Sequence, residues 1–83
     1  MITHHVDPRY PISAQQQHIE GAVVLRVLIS RDGKVEEATP MSGPEIFRQP
    51  AVDAVKKWQY KPYVLNGTAV DIESTVTVNF RSF

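Results

Sequence analysis

The 83 residues of the chain include nine basic and nine acidic side chains, 42% hydrophobic residues and no cysteine. This length and composition predict one small folded domain, whose core is held by packing alone because neither disulfides nor cysteine-ligated zinc can form. The balanced charge lacks the basic field that nucleic-acid binding requires, and no apolar run reaches the roughly 18–20 residues of a membrane-spanning helix.

The N-terminal part of the sequence predicts a loose entry into the domain. Residues 1–7 show no periodicity, so we expect a flexible N-terminal segment there and one domain over residues 8–83. Pro11 disfavours the helical conformation for the residue before it, and Tyr10 is therefore expected to be extended.

A short helix and a long strand are predicted next. Ser13 is placed to cap a helix over residues 14–18, and Gly21 is expected to end it. Residues 22–30 then alternate in the manner of a β-strand. One face of this strand is wholly apolar, formed by Val23, Leu25, Val27 and Ile29.

The middle of the sequence predicts a hairpin followed by a helix. The pair Asp32-Gly33 tolerates the positive φ of a tight hairpin turn, and residues 35–41 are the returning strand. We expect a turn or a single helical turn over residues 44–48 and then a second helix that begins at Pro50, because a proline costs little at the first helical position. The apolar face of that helix consists of Ala51, Val55 and Trp58.

The last element is a strand over residues 71–80, which follows a turn at Asn66-Gly67. One face of the strand carries Ile72, Ser74, Val76, Val78 and Phe80, and the other carries Glu73, Thr75, Thr77 and Asn79. The element order α-β-β-α-β predicts an α+β fold in two layers: a three-stranded antiparallel sheet with two helices packed on one face.

The chemistry-bearing side chains form no catalytic pattern. His4 and His5 are adjacent and point to opposite sides of an extended chain, which makes a shared metal ion unfavourable. Ser13 and His18 are five residues apart and do not face each other on a helix. The carboxylates of residues 36–37 alternate across a strand. We therefore predict no catalytic residue, no metal site, no cofactor and no enzyme activity.

The last strand is the feature best suited to a partner. Between Asp71 and Phe80 there is no proline, glycine or lysine that would blunt a sheet edge. One interpretation is an edge that receives a strand from another protein. The alternative is an ordinary surface strand whose edge the N-terminal segment covers. The pattern alone leaves both open.

Taken in order, several short motifs resemble the C-terminal domain of the TonB energy transducers of Gram-negative envelopes. Their order and spacing over about residues 8–80 carry the resemblance more than any single motif does. The matching stretches are Tyr10-Pro11 with Ala14-Gln15, Ile19-Glu20-Gly21, Asp32-Gly33-Lys34-Val35, Ser42-Gly43, residues 54–62 and residues 76–80.

The resemblance implies a periplasmic, non-enzymatic domain whose parent is anchored in the inner membrane and docks on an ExbB–ExbD motor. Such a domain binds the TonB box, a short peptide of an outer-membrane transporter, by β-strand addition and passes force to it for nutrient uptake. The receiving strand would consist of Asp71, Ile72, Glu73, Ser74, Thr75, Val76, Thr77, Val78, Asn79 and Phe80. The neighbouring contact segment would consist of Asp7, Pro8, Arg9 and Tyr10, where better-known members are glutamine-rich.

Two alternatives accompany this interpretation. Domains of this type also occur in sensor and scaffold proteins, where the domain would serve as a periplasmic protein-interaction module. An open edge can also pair with a second copy of the chain and give a homodimer.

Overall fold

The fold is built from two helices and seven strands, and the structure, a computed structural model, describes residues 2–81. In chain order the elements are β1 (Ile2–His4), α1 (Ile12–Gln16), β2 (Gly21–Ile29), β3 (Val35–Ser42), α2 (Glu45–Val55), β4 (Gln59–Tyr60), β5 (Tyr63–Leu65), β6 (Thr68–Val70) and β7 (Ile72–Phe80). The predicted α+β class and the three-stranded antiparallel sheet are confirmed. The pairs β1–β4 and β5–β6 are additional. Neither helix has the length and apolar character needed to cross a membrane within residues 2–81.

The central sheet has the strand order β3-β2-β7, with β2 in the middle. Its pairing with β7 is antiparallel and regular, from Gly21 opposite Phe80 to Ile29 opposite Ile72. The odd-numbered side chains of β2 point towards the helices, as the alternation predicts, and form the middle of the core. Three of them are fully buried: Val23, Leu25 and Val27.

Helix α2 begins at Glu45, so the prediction that it starts at Pro50 is wrong. Pro44 is the N-cap residue, and Pro50 lies inside the helix. An interior proline removes one backbone hydrogen bond and costs about 3 kcal/mol. Phe47 in the first turn is fully buried, and burial of such a side chain contributes about 1.5–3 kcal/mol. The helix ends at Val55, so Trp58 reaches the core from the turn that follows.

Helix α1 also differs from the prediction at both ends. It begins at Ile12 with Pro11 as N-cap, and no side chain caps it, so the assignment of Ser13 as the cap is wrong. Gly21 is the first residue of β2, and the positive φ of 55° after the helix belongs to His18. The burial of the helix residue Ala14 in the core is a tertiary contact that local capping rules do not register.

Three aromatic rings close one end of the core. Phe47 stacks on Phe80 with ring centroids 4.3 Å apart and an interplanar angle of 8°. Tyr10 presents its ring edge-on to both, at 5.6 Å from Phe47 and 5.8 Å from Phe80. Its hydroxyl donates to the carbonyl oxygen of Ile19. Tyr10 therefore fastens the entering chain to α2 and to the end of β7.

Upstream of Tyr10, the chain contacts the segment that follows α2. Strand β1 pairs with β4, and the indole nitrogen of Trp58 donates to the carbonyl oxygen of Val6 at 2.8 Å. The ring of His5 lies 4.6 Å from that of Trp58. These contacts involve residues 2–6, and the mobility of residues 1–7 stays a prediction.

Two glycines provide a matched test of the turns. Gly33 and Gly67 both have positive φ, 88° and 79°. A β-carbon at Gly33 would overlap the carbonyl oxygen of Tyr60, whereas one at Gly67 would meet nothing within 4 Å. We expect Gly67→Ala to lower the free energy of unfolding by about 1–2 kcal/mol, the cost of the left-handed backbone. Gly33→Ala should cost more, because it also displaces β4. Urea unfolding measures both, and equal losses would contradict the close approach of Gly33 to Tyr60.

Two tyrosines give a second matched pair. The Tyr10 hydroxyl donates to the Ile19 carbonyl, whereas the buried Tyr60 hydroxyl has no hydrogen-bond partner among residues 2–81. We expect Tyr10→Phe to lower the free energy of unfolding, since the carbonyl loses its donor. Tyr60→Phe should leave that free energy unchanged or raise it by up to about 1 kcal/mol, because an unpaired buried hydroxyl is removed. Thermal unfolding measures the stability of the two variants. A lower free energy of unfolding for Tyr60→Phe would show that the Tyr60 hydroxyl is paired.

Candidate strand-addition site

The candidate site is the outer edge of β7. The strand pairs with β2 along one side over nine residues, and no other strand of residues 2–81 pairs with its opposite side. The N-terminal segment adds no strand to this edge, because β1 pairs with β4. Every second N–H and C=O of an edge strand points away from the sheet. The edge of β7 can therefore offer main-chain hydrogen bonds to an extended segment.

The inner face of β7 is closed at one end and open at the other. Phe80 and Val78 are buried, with 2% and 5% of their surface exposed. Val76 and Ile72 are half-buried, and Ser74 is exposed. Helix α2 contacts mainly β2 and β3, so the helical layer covers the first half of β7 incompletely. The outer face is polar and exposed throughout, with Glu73, Thr75, Thr77 and Asn79.

Ion pairs tie the start of β7 to its neighbours. The carboxylate of Asp71 accepts a hydrogen bond from the backbone N–H of Arg31 at 2.8 Å, and the Arg31 side chain lies 3.7 Å from it. Glu73 lies 3.8 Å from Arg26 on β2. All four side chains are exposed, and such pairs contribute at most about 1 kcal/mol each. The Asp71 carboxylate is thus occupied within the chain, and Asp71, which was predicted to belong to the receiving strand, precedes the first residue of β7.

The predicted contact segment divides into two parts. Tyr10 lies against Phe80, at the C-terminal end of β7. Asp7 and Arg9 instead line a groove of about 580 Å³ on the side of α2, together with Gln49, Pro50, Asp53 and Lys57. Pro8 is half-buried between these parts. The structure thus brings only Tyr10 to the receiving strand.

A second groove lies at the opposite end of β7. It measures about 320 Å³ and is lined by Tyr60, Lys61, Pro62, Tyr63, Val64 and Ile72. The sequence pattern did not predict this groove. The sequence feature that could have indicated the groove is the apolar run Tyr63-Val64-Leu65, directly before the Asn66-Gly67 turn. These three residues are 53%, 59% and 54% exposed. We call it the edge groove, since Ile72 belongs to the edge strand.

Two phenols near the ends of β7 have perturbed acidity. Burial, and secondarily the Glu20 carboxylate, raise the pKa of Tyr10. Burial raises the pKa of Tyr60. Since both pKa values are raised above the ordinary value of a tyrosine, both phenols are neutral at physiological pH. The contribution of each phenol to the free energy of unfolding is complete below the unfolded-state pKa and is lost as pH rises through the raised folded-state pKa.

Within residues 2–81, no three His, Cys, Asp or Glu side chains are grouped so that they could hold a metal ion. His5 instead lies against Trp58 and 3.6 Å from the carboxylate of Asp7. Its contacts are with neighbouring protein groups.

Comparison with known proteins identifies several relatives. Residues 6–82 match the family model described as the C-terminal part of the Gram-negative bacterial TonB protein. Protein TonB of Vibrio cholerae is 29% identical over 98% of this chain and 34% of its own length. Protein tonB2 of Pseudomonas aeruginosa is 35% identical over 94% of this chain and 30% of its own length. The chain thus spans about a third of the length of these curated relatives.

Solved structures agree with the sequence comparison. The solution NMR structure of the Pseudomonas aeruginosa TonB C-terminal domain superimposes with a TM-score of 0.81 at 26% identity, over 98% of this chain and 84% of that one. The TonB2 protein of Vibrio anguillarum gives 0.72 at 32% identity, over 100% and 81%. Since the family model covers nearly the whole chain and the fold agrees, the chain belongs to the family of C-terminal domains of Gram-negative bacterial TonB proteins.

Proposed function

We propose that this chain is the periplasmic, non-enzymatic C-terminal domain of a TonB-like energy transducer. In this proposal it binds the TonB box of an outer-membrane transporter, and the box adds as a strand to the edge of β7. The observation that carries the proposal is the regular nine-residue strand whose outer edge no other strand of residues 2–81 occupies. Membership of the TonB C-terminal family supports the assignment of the partner.

The chemistry of the edge suits an extended peptide. Main-chain hydrogen bonds supply affinity that depends little on side chains, while alternate side chains of the peptide lie above and below the sheet. The pairing of β7 with β2 has no register shift, so an outward pair of N–H and C=O groups recurs at every second residue without interruption. A short segment without its own fold can therefore dock along the whole edge.

The packing also suits the transmission of force. The upstream part of the chain enters through residues 2–10, and Tyr10 contacts both Phe47 and Phe80. Phe80 ends the strand that would hold the box. A pull on the N-terminal side is thus passed through the aromatic contact to the receiving strand. We propose that the parent protein supplies the inner-membrane anchor and the contact with an ExbB–ExbD motor driven by the proton-motive force.

Strand addition predicts a specific pattern of amide protection. Titration with a synthetic TonB-box peptide should shift the amide resonances of residues 72–80 and slow hydrogen exchange at every second one of them. These are the amides that face away from β2. At a peptide concentration about 100 times the Kd, their exchange should slow by up to about 100-fold. Amide exchange followed by NMR measures both effects.

The control for this experiment is a side-chain truncation on the exposed outer face. Thr77→Ala should change the Kd by less than about twofold, because the backbone carries the contact. If residues 72–80 stay silent in a folded protein that is saturated with box peptides, strand addition at β7 is ruled out.

A second candidate function, self-association, rests on the same free edge. Two copies could pair through β7 and form a symmetric dimer. This candidate predicts that sedimentation from about 10 μM to about 1 mM will show a dimer, and that the outward amides of β7 will gain protection without peptide. A monomer at the highest concentration would leave the box peptide as the partner of the edge.

A further inference from the structure

The edge groove is formed by two parts of the chain that meet at the start of β7. Residues 60–64 run from β4 into β5, and they line the groove together with Ile72. Apart from Lys61, the lining side chains are aromatic, aliphatic or proline. The binding of an apolar group in a groove of this composition is favoured by about 25 cal/mol per Å² of apolar surface removed from water.

The apolar side chains around the groove are unusually exposed. Tyr63 and Val64 are 53% and 59% exposed, and Leu65 on the same hairpin is 54% exposed. Single exposed apolar residues are ordinary, but contiguous ones mark contact surfaces. The groove therefore has the character of a site that another group covers.

Strand register determines what would reach the groove. A residue of an added strand that pairs with Ile72 has its side chain on the same face of the sheet as Ile72. Ile72 is a wall of the groove. That residue therefore presents its side chain on the face of the sheet where Ile72 borders the groove.

The other inward positions of an added strand meet different surroundings. Ser74 is small, polar and exposed, whereas Val76 is half-buried and apolar. An inward residue opposite Ser74 gains little from being apolar. Selectivity for apolar side chains should thus concentrate at Ile72 and, less strongly, at Val76, since the core already fills the space beside Val78 and Phe80.

We infer that the edge groove is the side-chain pocket of the receiving edge, and that it selects a large apolar residue of the bound peptide at the position that pairs with Ile72. This inference rests on the proposed function, because it takes the strand that adds to β7 as its occupant. Backbone pairing fixes the peptide on the edge, and the groove sets the register in which it binds.

The first test uses two neighbouring residues of one hairpin. Val64 lines the groove and Leu65 does not, although their exposure is nearly equal. With a synthetic TonB-box peptide that the wild-type chain binds, Val64→Ser should raise the Kd about fivefold. Leu65→Ser should leave it within about twofold. Both residues are exposed, and amide spectra of the free variants verify that the fold is intact.

The second test changes the peptide. Intermolecular NOEs to β7 identify the peptide residue opposite Ile72, which should be large and apolar. Its substitution by alanine should weaken binding to the wild-type chain, and the same substitution should cost less in Val64→Ser. A double-mutant cycle isolates that coupling.

The outcomes separate the two proposals. If the wild-type chain binds through β7 but Val64→Ser binds equally well, or if the two serine variants lose affinity equally, the groove is not a side-chain pocket. A charged or small peptide residue opposite Ile72 would contradict it as well. If no box peptide shifts residues 72–80 of the wild-type chain, the proposed function itself fails.

Discussion

The stacking of Phe47 on Phe80 is the contact on which the rest of the architecture depends. It joins the first turn of α2 to the last residue of β7, with the two rings nearly parallel. Helix α2 is thereby held over β2 and β3 although Pro50 interrupts its hydrogen bonding. The edge of Tyr10 packs against both rings. Entering chain, helix and last strand are thus joined at one point.

Local patterns predicted the parts of the fold whose causes are local. The alternation of residues 22–30 and the positive φ that Asp32-Gly33 tolerates identify β2 and its hairpin, because period-2 burial and turn chemistry act between near neighbours. The start of α2 could not be found in this way. Phe47 in its first turn stacks on Phe80. Helix propensity around Pro50 does not reflect that contact, because the two residues are far apart in sequence. Ser13 does not cap α1, and the burial of Ala14 in the core is likewise a tertiary contact.

The sequence predicted the strand of the candidate site but not the segments that lie beside it. The composition of residues 71–80 indicated a usable edge, yet whether the N-terminal segment covers it depends on a pairing across the whole chain. Strand β1 pairs with β4 instead. The edge groove was also beyond the sequence pattern, because its two walls come together only when residues 60–64 fold back towards Ile72.

The hydrogen bond from Trp58 to Val6 has a consequence for observing the protein. Trp58 is the only tryptophan of the chain, it is 5% exposed, and its indole nitrogen is bound to the backbone of the entering segment. Indole emission responds to burial and hydrogen bonding of the ring. The protein therefore carries an intrinsic fluorescent probe at the contact between Trp58 and the N-terminal segment. Separation of Val6 from Trp58 would change the emission wavelength and intensity of the indole without any added label.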